Sequence, residues 1–207
     1  MKTIAFASLK GGVGKSTLAF NVAVYAAKQG ESIWLADVDP QRSLETFAER
    51  RPGENPAIIE NVKSVRQLVS DLRVAKSERD WLICDTPASF VKIIEDALKP
   101  AKVVVVPTRP SIFDLSAQED LLPILKNLGK EGVTIPVLNA VDGRTAHDDY
   151  VARLVEMFGR PPVLIHHRSA YTRSMIGSLA GFELDRKCTP EIQALWSEIL
   201  TVTRTTK

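Results

Sequence analysis

The run Lys10-Gly11-Gly12-Val13-Gly14-Lys15-Ser16-Thr17 constrains this chain most. It sits between a short apolar segment, residues 3–9, and a stretch of helical apolar spacing, residues 16–28, that stops at Gly30. A strand that passes through glycines straight into a helix is the first half of a βαβ unit. Gly11, Gly12 and Gly14 let the backbone curl and aim several N–H groups at one point, a concavity that suits phosphate oxygens. The helix N-terminus adds the positive end of its dipole. Lys15 supplies a point charge for the outer phosphates. The Ser16 hydroxyl is the kind of oxygen ligand Mg²⁺ prefers.

The alternation continues along the chain. Residues 32–36, 81–84, 102–107, 133–139 and 163–165 read as strands, and residues 43–50, 64–76, 90–98, 114–128, 146–158 and 190–202 as helices. The consecutive valines Val103 to Val106 form the unbroken apolar run of a parallel strand buried on both faces. Pro123 is expected to kink its helix. Strands separated by helices imply right-handed crossovers. The expected fold is therefore α/β: one domain over residues 1–207, a mostly parallel twisted sheet with helices on both faces. Ligands of such sheets sit at the carboxyl ends of the strands. That singles out segments 9–17, 37–42, 85–89, 107–114, 139–145 and 166–175.

Composition narrows the class. A chain of 207 residues, 44% hydrophobic, can bury a core without disulfides. Cys84 and Cys188 stand far apart and form no CxxC pair, which excludes a disulfide framework and a cluster-ligand set. The N-terminus lacks a signal cleavage pattern, and no apolar run approaches the roughly 20 residues that cross a bilayer. A cytoplasmic location is expected. With a net charge of +2, any contact with nucleic acid needs a local basic patch.

One detail sets the loop apart from GxxxxGK[ST]: Leu9 stands where that pattern has glycine, and Lys10 opens the loop. KGGVGKST resembles the deviant Walker A motif of the ParA/MinD family of P-loop ATPases. Asp37-Val38-Asp39-Pro40-Gln41 is similar to that family's DxDPQ switch. Leu82-Ile83-Cys84-Asp85-Thr86-Pro87 resembles its Walker B and second switch, and Val103 to Pro107 followed by Ser111 and Phe113-Asp114-Leu115 also fits. The resemblance is strongest over residues 1–45 and 80–118 and loosest after about 140. It implies a weak intrinsic ATPase that closes as a homodimer on ATP and Mg²⁺. Lys10 would reach across the dimer to the partner's ATP, and Asp39 would hold or activate the attacking water. Phosphoryl transfer is mostly positioning and charge stabilisation, so such a set suffices. The catalytic set is then Lys10, Lys15 and Asp39. The nucleotide set is Lys10, Gly11, Gly12, Val13, Gly14, Lys15, Ser16, Thr17 and Asn139, and the metal set is Ser16, Asp39 and Asp85.

Several residues keep two readings. Asp85 closes a buried apolar strand and needs a partner; Mg²⁺ supplies one, and a helix N-cap is compatible with it. Asp37 is either catalytic or a turn-former that bonds local backbone. Asn139, at a strand's carboxyl end, either contacts the adenine edge, as asparagines in the family do, or caps a turn.

The resemblance also frames the surface on which the switch acts. The tail, residues 199–207, has too little apolar bulk for the amphipathic membrane anchor of the MinD branch, so no membrane partner is expected. The run 166–174 holds Arg168, Arg173, Tyr171 and several hydroxyls with no acid. These groups suit phosphate contacts, and the run lies where ParA proteins have a segment for nonspecific DNA binding. The plainer reading is a solvated loop or helix start with Tyr171 packed below. The loop begins so near residue 1 that no N-terminal DNA-reading domain is expected, as in small ParF-like partition proteins. The expected function is partition of plasmid or chromosomal DNA through ATP-dependent nonspecific DNA binding, in association with the nucleoid. A ParB-like or other adaptor would stimulate hydrolysis. The same switch could instead position a protein cargo, such as a chemoreceptor cluster or microcompartment. A metabolite-activating enzyme resembling dethiobiotin synthetase is the alternative that Lys10 and the DxDPQ run oppose. Intact Lys15, Ser16, Asp39 and Asp85 oppose a nonhydrolytic scaffold.

Overall fold

Strands that are apolar on both faces pair at the centre of this fold, because only helices on both sides can keep them dry. The structure, a computed structural model, describes residues 1–42, 44, 51, 55–59, 62–74 and 78–205, the side chains of 175–177 excepted. Strands β1 (Lys2–Phe6), β2 (Ile33–Asp37), β3 (Ala57–Ile59), β4 (Trp81–Asp85), β5 (Val103–Thr108), β6 (Thr134–Val141) and β7 (Val163–His166) form one sheet in the order β3-β2-β4-β1-β5-β6-β7. Every pairing is parallel. The helices are α1 (Lys15–Lys28), α2 (Val65–Val74), α3 (Val91–Leu98), α4 (Ile112–Asn127), α5 (Asp148–Phe158), α6 (Ser169–Gly177), α7 (Gly181–Leu184) and α8 (Thr189–Thr205).

Alternation along each strand divides the core into two layers. Ile4, Phe6, Ile33, Leu35, Ile83, Val103, Val105 and Val137 face α1 and α8. Ala5, Ala36, Leu82, Cys84, Val104 and Val106 face α2, α3 and α4. A smaller cluster of Leu138, Val141 and Leu154 seats α5. Trp81 meets Trp196 of α8 edge-on, with ring centroids 5.1 Å apart. Its indole N–H donates to Glu31 at 2.8 Å, so the ring is buried without leaving its polar atom unpaired. Gly181 opens α7 where the backbone crowds Tyr171: a Cβ there would stand 2.7 Å from the ring. Its N–H donates to Asn21 of α1 at 2.6 Å.

The sheet and the two-sided helical cover match the expected fold class. Two details differ. β1 ends at Phe6 rather than residue 9, because the chain already turns at Ser8, whose Oγ accepts the Lys10 N–H. β3, three half-buried residues at the sheet edge, is too short to show periodicity and was not foreseen. The 166–174 run follows its plainer reading: a helix, α6, starts at Ser169, and Tyr171 is buried. Helix α4 runs through Pro123 to Asn127, at the cost of one intrahelical bond. Of the helix expected over 43–50 only Leu44, which is helical, lies within the described residues; the last part of 64–76 also lies outside them.

Replacing Trp81 by Ala removes a side chain only 1% exposed at the join of β4 and α8. The expected loss is about 3–5 kcal/mol of unfolding free energy, read by urea denaturation followed by circular dichroism. A change below about 1 kcal/mol would contradict this packing.

Candidate functional site

Parallel strands place all their carboxyl ends on one edge, and the loops leaving β1, β2, β4, β5, β6 and β7 meet there around a cleft of about 880 Å³. That volume lies within the range of small-molecule sites, roughly 300–1,000 Å³. The glycine-rich loop forms its floor. Gly12 and Gly14 have φ of 74° and 101°, left-handed values that other residues adopt at a cost. Gly14 is also the N-cap of α1 and offers no side chain to that helix end, so the first N–H groups stay available to a ligand.

Lys15 is buried, and its ammonium donates to the Lys10 carbonyl at 3.2 Å. Burial lowers its pKa, and the Asp85 and Asp39 carboxylates oppose that fall. Asp85 ends β4, 1% exposed, directly opposite Asp37 at the end of β2 in the sheet register. Its pKa is pushed up to about 7, first by burial and then by Asp37 and Asp39, against the Ser16 hydroxyl hydrogen bond and Lys15. Asp85 Oδ1 is buried with no hydrogen-bond partner among the described residues. A buried orphan oxygen beside a bonded hydroxyl is a fit for a hard cation. Among the described residues no group of three His, Cys, Asp or Glu is arranged to hold a metal alone. A Mg²⁺ ion, which keeps waters and takes phosphate oxygens, needs no such cage.

Asp37 is the turn-former. Its carboxylate accepts N–H groups from Asp39 at 3.0 Å and Leu44 at 2.8 Å. This presents Asp39 to the cleft, where Asp39 accepts the Gln41 N–H at 3.0 Å. Lys10 is exposed and does not line the cleft, although Gly11, Gly12 and Gly14 to Thr17 do. Asn139 lines it from β6, but its amide donates to the Val13 carbonyl at 2.7 Å, a bond that neither reading of the sequence anticipated.

The run after β7 contributes Arg168, Tyr171 and Thr172 to the cleft wall. Arg168 is not a free cation. Its Nε and Nη2 donate to Glu191 Oε1 at 3.0 and 2.6 Å. Glu191, 7% exposed, also bonds His166 Nδ1 and the Tyr171 hydroxyl, each at 2.8 Å. Arg173 is exposed on α6. Sequence reasoning missed Glu191, whose partners His166, Arg168 and Tyr171 lie far from it in sequence, and gave no definite role to Arg109, an exposed cation on the cleft wall.

Comparison with known proteins agrees with this geometry. Residues 4–175 match the CobQ/CobB/MinD/ParA nucleotide binding domain. The chain belongs to this family. It is 26% identical over 208 residues to the maintenance of carboxysome distribution protein A of Halothiobacillus neapolitanus, covering 96% of each chain. It is 31% identical over 156 residues to the chromosome-partitioning ATPase Soj of Thermus thermophilus, covering 62% of this chain and 63% of Soj. Its fold superposes on an ATP complex of Cyanothece McdA with a TM-score of 0.77, at 16% identity and 96% coverage of each chain. On a chain of the Aquifex aeolicus MinC:MinD cell division protein complex the TM-score is 0.79, at 17% identity, covering 97% of this chain and 96% of that one. The chain is thus a nucleotide-binding ATPase of the ParA/MinD type. No described helix is long and apolar enough to cross a membrane.

The raised pKa of Asp85 gives a signed pH effect in the ligand-free protein. Above its ordinary range near 4 the unfolded carboxyl releases its proton, while the folded one keeps it until about 7. Its contribution therefore falls as pH rises from about 4 to 7. Urea titrations without nucleotide or divalent cation should show Asp85→Asn gaining stability relative to wild type as pH rises through this window. A pH-independent difference between the two would contradict the raised value.

Proposed function

We propose that this chain is an ATP-operated dimer switch that partitions plasmid or chromosomal DNA by binding DNA nonspecifically in its ATP state, with a ParB-like adaptor stimulating hydrolysis. The observation that carries it is the division of labour between the two loop lysines. Lys15 is buried in its own cleft, whereas Lys10 is exposed outside it. A cation at the loop's mouth that does not serve its own site is suited to a site on a second copy.

In this reading Lys15 and the loop N–H groups hold the outer phosphates. Ser16 and Asp85, with Asp39 nearby, would hold Mg²⁺, which supplies charge neutralisation at the phosphates. Asp39, presented by Asp37, orients the attacking water. Lys10 of the second copy stabilises charge developing on the transferred phosphoryl, as an arginine finger does. Residues 1–207 act as one ATPase unit. For DNA, Arg173 is the better-placed of the two cations expected to contact phosphate, since Arg168 uses Nε and Nη2 on Glu191.

A second reading of the cargo has its own support. The relative matched over nearly its whole length is named for carboxysome distribution, which favours a protein assembly as cargo for the same switch. The adaptor would then choose the cargo, and the ATP and DNA steps would be unchanged.

The test is binding to random-sequence duplex DNA with ATP, with ADP and without nucleotide. Binding should require ATP and weaken about tenfold or more between about 50 and 200 mM salt. Lys15→Ala should abolish it. Binding that ignores the nucleotide, or none in any state, would sink the DNA-using switch.

A further inference from the structure

We propose that the outer edge of β7 is a docking groove for an extended, acidic segment of a partner protein, which adds to the sheet as a further strand. Among the described residues only Arg168 lines both this groove and the nucleotide cleft, so docking here is separate from ATP binding.

The edge is open along its backbone. β7 ends the strand order, and no described strand lies beyond it. His167, just past β7, donates its N–H to Val141 of β6 at 2.9 Å. Backbone groups alternate in direction along a strand, so those of Val163 and Ile165 also face β6. The N–H and C=O groups of Leu164 and His166 face away from the sheet, and no described residue bonds them. Edge strands are commonly blunted by lysine or proline at such positions. β7 has neither within Val163–His166, and the Leu164 side chain is 41% exposed.

The edge also faces a shaped groove of about 620 Å³. Pro161 and Pro162 line it where β7 begins. Pro190, Ala194 and Glu198 of α8, four apart and so on one helix face, form its wall. Its charges decide what it takes. Glu191 is buried and bonded to His166, Arg168 and Tyr171, and Glu198 pairs with Arg160 at 2.7 Å. Lys187 also lines the groove, exposed and with no ion pair among the described residues; the Asp185 carboxylate near it accepts its backbone N–H. The acids of the groove are thus neutralised and a cation is left over. Backbone pairing with Leu164 and His166 supplies affinity, while an apolar side chain beside Leu164 and a carboxylate at Lys187 supply selectivity.

A phage-displayed library of random ten-residue peptides would be selected on the whole chain, and synthetic copies of the enriched peptides titrated by fluorescence anisotropy. Three variants localise the binding. Leu164→Pro removes an outward N–H and leaves the ladder to β6 intact. Ala194→Arg fills the groove from an exposed helix position, and Lys187→Glu reverses the uncommitted charge. Thermal melting establishes that each is folded, and the two exposed positions keep the test decisive if Leu164→Pro does not fold. The expected result is enriched peptides that carry Asp or Glu among alternating apolar residues, with affinity about tenfold or more weaker for each folded variant. Peptides without acids, peptides that bind the variants as tightly as wild type, or no enrichment at all would overturn the proposal.

Discussion

Charge removed from water at one edge of the sheet governs the arrangement of this protein. Lys15 and Asp85 are both buried there, with Asp37 and Asp39 close enough to shift their ionisation. Isolated buried charges are costly, and opposite charges offset the cost only when well bonded. Here the offset is incomplete. Lys15 finds a carbonyl of its own loop, and Asp85 keeps one oxygen unpartnered among the described residues. The residues of the site therefore only partly offset their own buried charge. A ligand that brings phosphate oxygens to Lys15 and a cation to Asp85 relieves both imbalances at once.

The sheet makes this concentration of charge possible. Parallel pairing puts the ends of β2 and β4 side by side, so Asp37 and Asp85 are register partners with no choice in the matter. Asp37 then uses its carboxylate on the backbone of Asp39 and Leu44, which turns Asp39 into the cleft. On the far side, β6 outreaches β5 and its bulge carries Asn139 to the loop. Glu191 does the corresponding work for the segment after β7, holding Arg168 and Tyr171 at the wall of the same cleft and bonding His166 beside them. The rigid layers of apolar side chains beneath leave these polar struts to set the shape of the loops.

Much of this was legible in the residues. Alternation of apolar runs gave the strand and helix order, and the valines of β5 announced a strand buried on both sides. The loop from Lys10 to Thr17 was legible because phosphate binding needs a rare combination of glycines, lysine and hydroxyl in one place. Asp85 stood at the end of a buried apolar strand and was open to the same reasoning, whereas Asp39 was singled out by the resemblance of Asp37 to Gln41 to a DxDPQ switch. What escaped notice depends on tertiary partners. β3 has three residues and is defined by its neighbour β2 rather than by its own pattern. Arg168 looked like a free cation in a run without acids, because Glu191, its partner, lies 23 residues on. Asn139 was legible as a polar side chain at the cleft, but the left-handed φ of Ala140 and the slip of β6 against β7 beside it have no signature in sequence.

The proposed switch requires the loop edge to close against a second copy of the chain when ATP is bound. Sedimentation velocity with Mg²⁺ and either ATP or ADP tests it most directly, using a Lys10→Ala variant alongside wild type. The expected result is a dimer with ATP, a monomer with ADP, and a weakened ATP dimer for the variant. A monomer in both nucleotides, or a dimer of equal strength in both, would contradict the switch.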